Sequence, residues 1–207
     1  MKSFFLTSIT ENVLHGLPKL IGKKPMDTKI VFIPTAADPY EDKSFVETDR
    51  EKWLELKYDF TELDIKHKSE GQLRKDLKNF DIIYLSGGNV FYLLQEADKC
   101  GLKNIIKEHL RKGKIYAGGS AGAAIAGPSI EPLQTIDDPQ KAPELNDYTA
   151  FGLVDFVVLP HFDYGKYNVK YQSVLKQYKQ FKFQPLNNDQ AIFVSGNKKR
   201  LLNTKDM

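Results

Sequence analysis

The sequence predicts a single-domain α/β fold spanning residues 1–207, with a mostly parallel sheet and helices on both faces. Three observations carry this expectation. Short apolar runs suited to strands alternate with segments of helical spacing from Phe4 to Arg111. Lys29-Ile-Val-Phe-Ile-Pro-Thr-Ala-Ala37 is almost continuously apolar, the pattern of a parallel strand covered on both faces. Two glycine-rich turns, Ser86-Gly87-Gly88-Asn89 and Gly118-Gly119-Ser120-Ala121-Gly122, each follow a strand and precede a helix. In such sheets ligands bind at the carboxyl ends of the strands, which is where both turns would lie.

The elements follow in chain order. Phe4 to Ser8 reads as a first strand and Glu11 to Ile21 as an amphipathic connection. After the strand from Lys29, Phe45 to Tyr58 has helical spacing, and Phe60 to Ile65 is a third strand. Leu73 to Phe80 is a short helix, and Asp81 to Leu85 a fourth strand. Val90 to Ala97 and Leu102 to Arg111 are helices, and Ile115 to Ala117 is a strand feeding the second glycine turn. Pro128 to Thr149, rich in Pro, Asp and Glu, breaks the rhythm and reads as a long excursion, a lid or flap over the site. Phe156 to Pro160 is a strand that delivers His161, and Gly165 to Tyr178 a helix rich in Tyr and Lys. Phe181 to Pro185 and Ala191 to Val194 are closing strands, with a polar tail from Lys198 to Met207.

Composition narrows the function class. Hydrophobic content of 41% with 12% aromatics supplies a core without disulfide or metal staples. A formal charge of +3, with no basic stripe interleaved with aromatics, gives nucleic-acid binding no support. The lone Cys100 can form neither an internal disulfide nor a cysteine-based zinc site, which fits a reducing cytoplasm. No apolar run reaches the length of a membrane span, and the N-terminal run is too short for a signal sequence. The expectation is a cytoplasmic protein with no cofactor and no metal. Neither nucleic acid nor membrane is expected as a partner, and a second copy of the chain in a homodimer is an option.

The chemistry centres on Ser120. Gly118-Gly119-Ser120-Ala121-Gly122 fits G-x-S-x-G, in which a serine sits on a sharp strand-to-helix corner that holds its hydroxyl above the sheet edge. A serine nucleophile needs a base, a group that orients the base, and donors for the oxyanion. Of the four histidines, only His161 follows a buried strand at the edge where Ser120 is expected, so it is the candidate base. The N–H of Ala121 is the natural first oxyanion donor, and Gly88, in the neighbouring turn, the candidate second. Read alone, the Gly87-Gly88 turn also suits a phosphate cradle, but its loop has no Lys or Arg. Candidates for the orienting carboxylate are Asp137, Asp138, Asp163 and Asp189. Asp189 lies just before the last apolar strand, and reaches the catalytic edge if that strand runs antiparallel. Asp137 and Asp138 lie in the excursion, where they could bind substrate instead.

With these residues in place the chain resembles the peptidase E (aspartyl dipeptidase) family of serine peptidases. The likeness rests on Tyr84-Leu-Ser-Gly-Gly-Asn-Val-Phe-Tyr-Leu-Leu94, Gly118-Gly-Ser-Ala-Gly-Ala123 and Leu159-Pro-His-Phe162, supported by Thr135-Ile-Asp-Asp-Pro139 and Asn188-Asp-Gln-Ala-Ile-Phe-Val194. It implies a flavodoxin-like fold related to class I glutamine amidotransferases, and metal-free cleavage of short peptides. It further implies Ser120 as nucleophile, His161 as base, and Gly88 and Ala121 at the oxyanion hole. The family's orienting carboxylate falls in the loop that here reads Asn188-Asp189. Asp189 takes that role unless the register puts Asn188 there, and then the charge is missing. Asp137 matches a second acidic position of the family, and Asn89 and Lys170 are the substrate-binding candidates. Members that cleave after aspartate carry a Glu-Thr-Arg-like stretch where this chain has Asn168-Val169-Lys170, and lysine lacks the planar fork of arginine. The alternatives on the same scaffold are a non-catalytic small-molecule binder and a cyanophycinase-like or other acyl hydrolase.

Overall fold

The computed structural model describes residues 2–206, so Met1 and Met207, the ends of the expected domain and tail, lie outside the described residues. In chain order the strands and helices are β1 (Ser3–Thr7), α1 (Thr10–Val13), α2 (Leu17–Ile21), β2 (Lys29–Ile33), α3 (Ser44–Glu55), β3 (Asp59–Glu62), α4 (Glu70–Leu77) and β4 (Ile82–Leu85). They continue with α5 (Val90–Lys99), α6 (Leu102–Arg111), β5 (Ile115–Gly119), α7 (Ala121–Ala124), β6 (Val157–Leu159), α8 (Gly165–Gln177), β7 (Phe183–Pro185), β8 (Gln190–Ser195) and β9 (Lys198–Asn203). Seven strands form one sheet in the order β3-β2-β4-β5-β1-β8-β9. The pairs from β3 to β1 are parallel, while β8 and β9 run antiparallel. The expected mostly parallel α/β fold is borne out.

The apolar runs alternate between two cores because successive strand side chains point to opposite faces. Val31, Ile33, Ile83, Leu85 and Tyr116 pack under α4, α5 and α6 on one face. Ile30, Phe32, Ile82, Tyr84 and Ala117 meet Val13, Leu17, Val46 and Trp53 on the other. Near-continuous apolar runs are therefore what two covered faces require. Two of the helices, α4 and α5, start at side-chain caps. Ser69 and Gln72 close a capping box before α4, and the Asn89 side chain accepts from Tyr92 N–H at 2.9 Å to begin α5.

Three expectations are corrected. The strand before His161 does not join the main sheet. β6 pairs in parallel with β7 in a separate two-stranded sheet, and its three residues end at the turn at Pro160. The excursion from Pro128 to Thr149 is no loose flap. Ile130 and Leu133 are buried in the core, and a bridge between Ser129 and Thr149 closes its base. The polar tail contains β9, a hairpin partner of β8 across the turn at Gly196, whose φ of 60° suits glycine. Its Lys198-Lys199-Arg200 start hides the strand from an apolar pattern, since of its side chains only Leu202 is buried.

Candidate active site

Ser120 is placed by the close packing of its turn. It has φ 48° and ψ −106°, in a region non-glycine residues rarely occupy, at the junction of β5 and α7. A side chain at Gly122 would put its Cβ 2.1 Å from the Leu85 carbonyl oxygen of β4, so α7 lies against the sheet at a distance only glycine allows. Gly88 has φ 141° and, with a Cβ, would strike Ala36 O at 2.1 Å. Both glycine turns thus meet at one rim of the sheet, as the sequence implied.

Ser120 Oγ lies 2.9 Å from His161 Nε2. His161 also sits in the left-handed region, with φ 57°. Its backbone N–H donates to Ser8 Oγ at 2.8 Å, and its Nδ1 lies 2.8 Å from Asn188 Oδ1. Because the Asn188 oxygen only accepts, it holds a proton on Nδ1 and leaves Nε2 free to accept from the serine hydroxyl. Ser8 Oγ donates to Asn188 Oδ1 at 3.2 Å, tying the loop before β8 to the end of β1. β8 does run antiparallel to β1, so the loop before it reaches the catalytic rim. The register, however, puts Asn188 against the imidazole. Asp189 is exposed and accepts from Asn12 Nδ2 at 3.0 Å. The expected carboxylate position is therefore filled by an amide.

These residues open into a cavity of about 460 Å³ whose wall includes Ser8, Gly88, Ser120, Ala121, Asp137 and His161. Gly88 and Ala121, the candidate oxyanion donors, line the same cavity as Ser120. Asp137 comes from the excursion, and its Oδ2 accepts from Val90 N–H at 2.9 Å. Burial pushes its carboxyl up to about 6, against the lowering effects of that N–H and of Lys170. The other sequence candidates lie differently. The Asn89 side chain is engaged in capping α5 and in donating to Asp138 O at 2.9 Å. Asp138 Oδ1 accepts from Gln140 N–H, Asp163 is exposed, and Lys170 is exposed on α8. Among the other histidines, His109 is buried against the carbonyls of Asp81 and Ile115, and burial lowers its pKa to about 4, a structural role.

Sequence reasoning passed over Ser8 and Asp49. Ser8 directly follows β1, and its signal was that shared rim alone. Asp49 of α3 is buried and lines the cavity, accepting a hydrogen bond from Tyr84 Oη. Tyr84 Oη lies 2.8 Å from Thr10 Oγ1, which lies 2.7 Å from Thr7 Oγ1, so the chain runs beneath β5 just before the serine. A Cβ on Gly119 would meet Thr10 Oγ1 at 2.4 Å. Burial pushes the Asp49 carboxyl up to about 7 despite the Tyr84 hydrogen bond.

Two outcomes follow from this geometry. Ser8→Ala removes the acceptor of the strained His161 N–H and is expected to lower kcat about 10- to 100-fold on peptides, with a smaller change in KM. Steady-state kinetics on the variant checks it. Asp49 binds its proton more tightly folded than unfolded, so it erodes stability as pH rises from the ordinary carboxylate range towards about 7. Asp49→Asn is expected to remove that contribution, so the variant loses less Tm than wild type between pH 4 and 7, which thermal denaturation across this range measures.

Comparison with known proteins agrees with this arrangement. The model of peptidase family S51 matches residues 5–202. An uncharacterized peptidase of Listeria monocytogenes is 36% identical over 95% of this chain and 96% of its own length. A peptidase E of Shewanella amazonensis is 32% identical over 72% of this chain and 60% of its own. The crystal structure of a Listeria monocytogenes protein, provisionally described as a peptidase E, superposes with a TM-score of 0.90 at 35% identity, covering 98% of both chains. With a strained serine and a histidine meeting at the rim of such a sheet, the chain belongs to peptidase family S51 and is a serine-type peptidase.

Proposed function

We propose that the protein hydrolyses short peptides, with Ser120 as nucleophile and His161 as general base and acid. The observation that carries this is the 2.9 Å contact between Ser120 Oγ and His161 Nε2, at a serine whose backbone is held in a strained corner. In the first step Ser120 Oγ attacks the peptide carbonyl carbon while its proton passes to His161 Nε2. The developing oxyanion is stabilised by the N–H groups of Ala121 and Gly88. Collapse of the tetrahedral intermediate breaks the C–N bond, and His161 returns the proton to the leaving amine. Water, deprotonated by His161, then attacks the acyl-serine ester and releases the acid.

Asn188 takes the orienting role in this scheme. Its carbonyl oxygen keeps Nδ1 protonated, which preserves the tautomer that a base at Nε2 needs. It supplies no negative charge to stabilise the imidazolium that forms during attack. Ser8 compensates in position by fixing the His161 backbone and the Asn188 amide together. In this scheme Asp137, on the cavity wall, contacts substrate rather than His161. The cavity volume of about 460 Å³ suits a di- or tripeptide.

The test is a panel of dipeptides and tripeptides assayed with wild type and Ser120→Ala. Wild type is expected to cleave at least one class, and the variant to lose about 10³-fold or more in kcat. No cleavage by wild type, or equal cleavage by Ser120→Ala, overturns the mechanism. A second variant tests the amide. Asn188→Asp puts a carboxylate on Nδ1 and is expected to raise kcat about 10-fold, the worth of one pKa unit of imidazolium stabilisation. The acid limb of its pH–rate profile should move to higher pH, because the carboxylate favours protonated His161. An unchanged profile would show that position 188 does not face the working imidazole.

A further inference from the structure

The cavity holds a second constellation that acyl transfer does not use. Tyr40 comes from the loop after β2, and Tyr167 and Tyr171 lie four residues apart on one face of α8. The rings of Tyr167 and Tyr171 are stacked with centroids 6.3 Å apart, and all three tyrosines line the cavity with Asp137. Tyr171 is fully buried, yet its Oη has no hydrogen-bond partner. Leaving a buried hydroxyl unpaired is destabilising, so the position favours a ligand group that pairs with it.

The chemistry of that group follows from what faces it. Burial raises the Tyr40 phenol to about 12 and raises Tyr171 further, and the Asp137 charge adds to both shifts. Both phenols therefore stay neutral; the Tyr40 oxygen already pairs with the Asn89 side chain, so Tyr40 offers its ring face and Tyr171 its unpaired oxygen. Glu11 and Asp49 add two more carboxylates to the wall. Among the described residues that line the cavity there is no lysine or arginine. The nearby cations act from outside it, Lys170 on Asp137 and Lys52 on Glu11. Carboxylates and neutral aromatic faces without a built-in counter-charge are the surroundings that hold an organic cation. A substrate carboxylate brought into the same space would meet the Asp137 and Glu11 carboxylates.

We propose that Asp137, Tyr40, Tyr167 and Tyr171 form a subsite for an alkylammonium or guanidinium group of the peptide, so that the enzyme favours basic N-terminal residues and disfavours aspartate. This rests on the cavity being the peptide site, and it inverts the acidic preference that the aspartyl dipeptidases carry. The cation is the lysine or arginine side chain rather than the α-ammonium that every N-terminal residue shares, and the probes separate the two. Ring faces of Tyr40 and Tyr167 and the Tyr171 lone pair surround it, while Asp137 supplies the counter-charge.

The experiment is calorimetric titration of the Ser120→Ala protein, where no turnover intervenes. The probes are lysinamide, alaninamide, Nα-acetyl-lysinamide and aspartic acid α-amide. Lysinamide is expected to bind at least about 10-fold more tightly than aspartic acid α-amide. Binding of Nα-acetyl-lysinamide but not of alaninamide assigns the subsite to the side chain, whereas binding of alaninamide but not of Nα-acetyl-lysinamide assigns it to the α-ammonium and overturns the basic preference. Adding Tyr171→Phe should weaken lysinamide binding about 5-fold or more while Tm holds or rises, since only an unpaired hydroxyl is lost. Adding Asp137→Asn should weaken it further. Aspartic acid α-amide binding as tightly as lysinamide, no binding by any probe, or unchanged binding in Tyr171→Phe would overturn the proposal. Because binding is read without catalysis, tight lysinamide binding beside an inactive wild type would sink the peptidase mechanism and leave the subsite standing.

Discussion

The site depends on one steric constraint, the approach of α7 to β4 at the distance set by Gly122 and the Leu85 carbonyl. Any Cβ at that point would push the helix off the sheet, and Ser120 would relax from its φ of 48° into an ordinary turn. The same contact presses β5 onto Tyr84 and Thr10, whose hydroxyls crowd Gly119 from the other face. The serine is thus clamped from both layers of the fold. Its strain is maintained by two hydrophobic cores that also hold the sheet together.

His161 is held by a different logic. It lies outside the main sheet, at the end of a three-residue strand, and has its own positive φ. What fixes it is polar: the Ser8 hydroxyl on its N–H and the Asn188 amide on its ring. Both partners come from the rim beside β1, so the imidazole is carried by one sheet and oriented by another. A rigid nucleophile facing a base on a polar tether is a division of labour that lets the tether tune rate without disturbing the core.

Much of this was legible in the chain. The apolar runs of β2 and β4 and the two glycine turns predict the parallel sheet and its working rim, because burial on two faces and close backbone approach leave compositional marks. Ser120 and His161 were legible for the same reason: each follows a strand at that rim. The third member was not, since Asn188 and Asp189 are adjacent and a one-residue register decides which side chain faces inward. β9 escaped notice because its exposed Lys and Arg side chains erase alternation. Ser8, Asp49 and the Tyr40 and Tyr171 hydroxyls act through tertiary proximity between distant segments, for which single-chain periodicity holds no signal.

The cationic start of β9 has a consequence for self-association. As the last strand of the sheet, β9 offers one open row of backbone donors and acceptors to any further strand. Lys198, Lys199 and Arg200 stand exposed along that row, charged side chains of the kind that make the border of a sheet a poor template for strand addition.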